Sequence, residues 1–144
     1  MTIVDCIKDL VSGSASGGLR DFIIRVFIGA FLAITFLQSG LDKVFDRKGN
    51  LDWMKGHFGK TFMKNSIPFL LTFITVMELC VGILNGVGVI GSFFMDTQVM
   101  LFWGAIIAAK TLLYLFFGQR VAKDYDGART IVVYFIVALM GVLI

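Results

Sequence analysis

Apolar residues run through this chain in long blocks, separated by short polar stretches. A hydrocarbon core about 30 Å thick takes about 20 helical residues, each rising about 1.5 Å. Blocks at about 22–45, 67–94 and 97–117 reach that length. A fourth, Thr130 to Ile144, is shorter and reaches it if its helix begins upstream, giving a span of about 124–144. Ile67 to Phe94 carries one charged residue in 28, so it lacks the polar face of a helix in a soluble protein. The pattern predicts an all-α fold, a four-transmembrane-helix antiparallel bundle spanning 20–144. The C-terminal carboxylate is expected near one membrane face.

Two shorter segments carry a different pattern. In residues 1–19, Ile3, Val4, Ile7, Leu10 and Val11 repeat at helical spacing opposite Asp5, Lys8 and Asp9. These charges argue against a signal peptide. A helix lying in the interface fits this pattern, with a disordered tail as the alternative. The run Ser12 to Gly18 predicts a flexible joint. In the first loop, Leu51, Met54, Phe58 and Phe62 fall on one face and predict a second, amphipathic helix. Trp53 suits a headgroup position. His57, the sole histidine, reads as a solvated surface group, and no metal site is expected.

Composition adds weight and a direction. Apolar residues make up 58% of the chain and charged ones 16%, with a mean hydropathy of +0.88. That excludes a disordered chain and an ordinary soluble enzyme. Lys43, Arg47, Lys48, Lys55, Lys60 and Lys64 lie in or beside the first loop, and Arg120, Lys123 and Arg129 in or beside the third. The N-terminal segment holds Lys8 and Arg20, and the 95–96 turn and the C-terminus hold none. The bias predicts loops 46–66 and 118–129 in the cytoplasm and both termini outside. The net charge of +3 then reads as topology and contact with anionic lipid, with no nucleic-acid partner.

Polar groups at membrane depth are costly, and so they are informative. Glu78 lies near the middle of the second span and Lys110 within the third. Counted from the tight turn between these spans, their depths differ by about 4–5 Å, so the two are expected to pair. Thr75, Glu78, Gly82 and Asn85 form one stripe. Thr35, Gln38 and Asp42 form another, as do Trp103, Lys110 and Tyr114, and Tyr134, Ala138 and Gly141. The expected result is a polar intramembrane pocket of Gln38, Asp42, Lys43, Glu78, Asn85, Lys110 and Tyr114. The alternative is a structural network that fixes helix register. Lys43 snorkelling to the interface is a further possibility. Gly29, Gly40, Gly82 and Gly86 are helix-packing positions, with Gly82 and Gly86 in a small-xxx-small motif.

Other chemistry is missing from the sequence. Cys6 and Cys80 form no C-x-x-C motif. Cys80 is expected buried, Cys6 near a surface, and both unpaired. One histidine cannot supply two haem ligands, and no phosphate-binding glycine loop appears. A redox role would require a bound quinone or a partner that carries the cofactor.

Three segments together resemble the DoxX family of small four-helix membrane proteins. Arg25-Val-Phe-Ile-Gly29 followed by Gly40-Leu-Asp-Lys43 looks like its first helix. Glu78-Leu-Cys-Val-Gly82-Ile-Leu-Asn-Gly86 looks like its second, and Asp124-Tyr-Asp-Gly-Ala128 is similar to its entry to the fourth. The resemblance covers about 20–144. It carries over to Gly40, Lys43, Glu78, Gly82 and Gly86, and residues 1–19 depart from it. It implies a four-helix bundle and a link to quinone reduction or to membrane oxidoreductase and thiol-stress complexes. The expectation is a small accessory subunit of a membrane complex, quinone-linked, without a complete catalytic centre. A quinone-binding oxidoreductase subunit and a proton-coupled small-solute carrier stay open.

Overall fold

The computed structural model describes residues 2–12 and 17–144. Most of the expected joint, residues 13–16, lies outside them, as does the side chain of Cys6. The described residues are all-helical: α1 (Ile3–Val11), α2 (Gly17–Phe45), α3 (Arg47–Phe58), α4 (Ile67–Gly91), α5 (Gln98–Val121) and α6 (Tyr125–Leu143), with a 3₁₀ turn at Lys64–Ser66. Four helical segments are long and apolar enough to cross a membrane: Gly18–Phe45, Lys64–Gly91, Gln98–Val121 and Tyr125–Leu143. This is the organisation of a multi-pass membrane protein.

The ends of these helices follow local chemistry. Asp46 caps α3 by accepting from the Gly49 amide at 3.1 Å. Asp124 caps α6 by accepting from the Gly127 amide at 2.9 Å; each cap satisfies an amide that has no partner within its helix. Pro68 stands in the first turn of α4, where its missing N–H costs nothing. Several bounds differ from the sequence reading. The first span starts at Gly18, not about 22, and α3 ends at Phe58, which leaves Phe62 outside the amphipathic helix expected to carry it. The second span stops at Gly91, not Phe94. There Ser92 Oγ donates to the Val89 carbonyl at 2.6 Å, and Thr97 Oγ1 to the Gly88 carbonyl at 2.7 Å. The third continues to Val121, one turn beyond Phe117.

Packing follows chain order, α2 on α4, α4 on α5, α5 on α6, with α6 closing on α2. The α2–α4 seam is the tightest. A Cβ at Gly82 would lie 2.9 Å from the backbone nitrogen of Leu37, and one at Gly40 would meet Leu79 at 2.8 Å. The Gly82 motif therefore joins two helices of one chain. Ile28, Leu32, Phe36, Val81, Ala105, Ala108, Leu112 and Ala138 form the buried core. Large apolar side chains cover the outside, Phe27, Ile34, Phe69 and Ile90 among them. In water such a surface would aggregate; in lipid it meets its like. The apolar face of α1 is also open, with Val4, Ile7 and Val11 exposed, as a helix lying on a bilayer requires.

Candidate functional site: a cavity with an ion pair in its wall

The bundle has two ends. At the loop end, α2 gives way to α3, and the α5–α6 turn lies nearby. At the terminal end lie the α4–α5 turn and Ile144. The buried acid of the second span looks toward the loop end. Glu78 sits on the same face of α4 as Leu71, Thr75, Gly82 and Asn85, all buried. That stripe is as the spacing predicts.

The partner of Glu78 is Lys43, not Lys110. Lys43 Nζ lies 3.0 Å from Glu78 Oε2, with the two side chains 19% and 3% exposed. Ser39 Oγ donates to Glu78 Oε1 at 3.0 Å. The ammonium directs its hydrogen bonds to Ser39 Oγ at 2.7 Å and to the Ser39 carbonyl at 3.3 Å. Glu78 Oε2 is therefore beside a positive charge yet accepts no directed hydrogen bond. Ser39 and Lys43 are one turn apart on α2, and the glycine seam brings that turn against α4. Carboxylate, hydroxyl and ammonium form one compact polar group.

This group stands in the wall of a cavity of about 650 Å³. The rest of the wall is largely apolar: Leu71, Phe73 and Ile74 from α4, Tyr114, Leu115 and Phe117 from α5. Phe73 and Tyr114 meet edge to face at 5.5 Å. From α3, Trp53, Met54 and Phe58 complete the lining, with Asn50 and Gln119 as further polar groups. Arg47 fastens the start of α3 to α4 by donating to Thr72 Oγ1 at 2.8 Å. The end of α3 is held by His57. Its Nε2 is 2.7 Å from Gln119 Oε1 and 3.9 Å from Asp124 Oδ2, and its ring stacks on Trp53 at 4.4 Å. His57 is thus half-buried and bonded, contrary to the solvated role expected for it. The missed signal was the Trp53–His57 spacing of one helical turn, which aligns two rings on one face.

Of the expected pocket residues, Lys43, Glu78 and Tyr114 line this cavity. Gln38 is exposed on the outside of α2. Asp42 is exposed as well and accepts from Asn50 Nδ2 at 3.3 Å. The inward face of α2 runs through Ile28, Leu32, Phe36 and Gly40 instead. Lys110 and Trp103 are exposed, and α5 turns Gly104, Ala105, Ala108 and Thr111 inward. Depth matched Lys110 to Glu78, but the direction each faces round its helix did not. Thr111 and Ala108 are buried, and Lys110 stands about 100° and 200° from them on the helical wheel. Cys80 is likewise exposed rather than buried.

Asn85 belongs to a second cavity, about 320 Å³, at the terminal end, with Arg25 and Gln98. Asn85 Nδ2 donates to the Val81 carbonyl at 2.9 Å, and Gly104 makes room for its amide. Arg25 Nε donates to the Ile144 carbonyl at 3.1 Å. Val81, fully buried, separates Asn85 from Glu78 along α4. Neither cavity holds a candidate metal set, since no cluster of three or more ligating side chains occurs among the described residues. No family description, curated protein or solved structure matches this chain.

Proposed function

We propose that this chain is a DoxX-type membrane protein that holds an amphipathic molecule of the quinone class in the loop-end cavity, as a small subunit of a larger membrane complex. One observation carries the reading: a buried carboxylate–hydroxyl–ammonium group in the wall of an otherwise apolar cavity of about 650 Å³. Small-molecule sites combine an apolar lining with a few convergent polar groups in this way. The residues fit such a head group. The Lys43 ammonium, 19% exposed, can donate to a ring carbonyl, with Glu78 Oε2 behind it as the counter-charge. Leu71, Ile74 and Phe117 suit the ring and its tail. When bound, a quinone supplies two-electron redox chemistry; Glu78 holds or releases a proton at Oε2, and Lys43 balances its charge.

A carrier would require passage between the two ends. Leu32 and Val81, both fully buried, fill the core between the two cavities, and this favours binding over transport. We place the chain in a bacterial cytoplasmic membrane, as the resemblance to DoxX proteins implies; the bias of Lys and Arg supports loops 46–66 and 118–129 inside and both termini outside.

A short-tailed benzoquinone titrated into the detergent-purified Trp103→Phe variant tests the reading, with Trp53 in the cavity wall as the fluorophore. Saturable quenching is expected, weakened about tenfold by Glu78→Gln or Ser39→Ala through loss of a charge-assisted hydrogen bond. It should be unchanged by Gln38→Ala on the outer surface. Quenching that never saturates, or that all variants share, would reject the site.

A further inference from the structure

The outer face of α5 carries a charge that the bundle does not neutralise. Lys110 is exposed and makes no hydrogen bond or ion pair among the described residues. It lies 12 residues from Gln98 and 11 from Val121, about 17 Å from either end of the helix. Half of a hydrocarbon core is about 15 Å, so the residue sits at mid-depth. Its four-carbon stem is much too short to reach either interface. Around it the face is apolar and aromatic, with Phe102, Trp103, Leu113 and Phe117 all exposed. A lysine in that position is expensive when it meets acyl chains and is ordinarily matched by a partner.

A second copy of this chain has no suitable counter-charge to offer. In the middle of the four spans the only carboxylate is Glu78, which is buried and already paired with Lys43. Headgroup phosphates lie at the wrong depth. We infer that the α5 face centred on Lys110 docks a transmembrane helix of a different protein, one with an aspartate or glutamate at mid-membrane. Tyr114 and Phe117, on the same face, also line the loop-end cavity, so the docked helix adjoins that site. The inference extends the subunit reading but stands on Lys110 and not on what the cavity binds.

Synthetic Leu-rich transmembrane peptides supply the test. One carries a central Asp, one Leu there, and one an Asp two turns toward its end. Each is labelled and mixed with labelled full-length protein in phosphatidylcholine vesicles, and association is read by energy transfer. The central-Asp peptide should bind about tenfold more tightly than the Leu peptide, the scale of a polar contact between helices in lipid. Lys110→Leu should abolish that gain, Lys110→Arg should keep it, and the displaced Asp should lose it. Because Lys110 faces outward, Lys110→Leu should melt as the parent does. Equal binding of the Asp and Leu peptides, or a gain that survives Lys110→Leu, would overturn the inference. Lys110-dependent association between two copies of the protein would overturn it too, by giving the face to self-assembly. None of these outcomes depends on quinone, so failure here and failure of the cavity reading are separable.

Discussion

The Lys43–Glu78 pair shows how much a single residue's surroundings matter. A buried carboxylate left without its cation costs more than the intact pair contributes, commonly about 3–5 kcal/mol when one partner is removed. Lys43 keeps some access to its surroundings, being 19% exposed, so the lower part of that range applies. Lys43→Met should therefore destabilise the protein by about 3 kcal/mol, read as a fall in the thermal midpoint in detergent. Adding Glu78→Gln should recover part of the loss, because the uncompensated charge is gone. Lys110→Met should leave the midpoint alone. If the single and double variants at 43 and 78 melt together, the pair contributes nothing; if Lys110→Met melts early, that side chain is not where it is described.

At the scale of helices, two glycines of one motif are unequal. A Cβ at Gly82 would sit 2.6 Å from Leu37 Cγ and 2.9 Å from the Leu37 backbone nitrogen, whereas at Gly86 the nearest atom is Ala33 Cβ at 3.8 Å. Gly82→Ala must push α2 and α4 apart and should cost about 1–3 kcal/mol, as overpacking does. Gly86→Ala meets ordinary contact and should be neutral or gain up to about 1 kcal/mol from helix propensity. Thermal midpoints of the two variants give the answer, and equal losses would refute the seam as described. The spacing Gly82-x-x-x-Gly86 announced a close approach; it could not show that one glycine makes it and the other only flanks it.

For the whole molecule, the outside differs from that of a soluble bundle: Phe27, Ile34, Phe69 and Ile90 cover it, and it is about as apolar as the core. Lipid supplies no hydrophobic force between helices, so close packing and internal polar contacts must hold the bundle. Thr75 and Thr111 satisfy their hydroxyls on their own helices, donating to Leu71 and Ile107 carbonyls at 2.6 and 2.8 Å. The orientation proposed from the loop charges makes a direct prediction. In a Cys6→Ala, Cys80→Ala background, a cysteine introduced at Lys60 should react with an impermeant maleimide only after the cells are opened. Labelling of intact cells would reverse the assignment.

The sequence alone determined the elements and their number, because helix length and the absence of charge are local, countable properties. It also determined the α4 stripe, where Thr75, Glu78, Gly82 and Asn85 recur at helical spacing on the helix that packs most closely. It could not choose between Lys43 and Lys110 for Glu78. Depth follows from counting residues, but the direction in which a side chain points depends on which neighbours surround its helix. In lipid the usual guide fails, because the outward face is as apolar as the core. The small residues Gly104, Ala105 and Ala108 took the inside of α5 and turned Lys110 outward. The approach of α2 to α4 at Gly40 and Gly82 set Lys43 and Ser39 beside the acid. The cavity, the part of its wall from α3 and the role of His57 likewise came into being only when distant segments met.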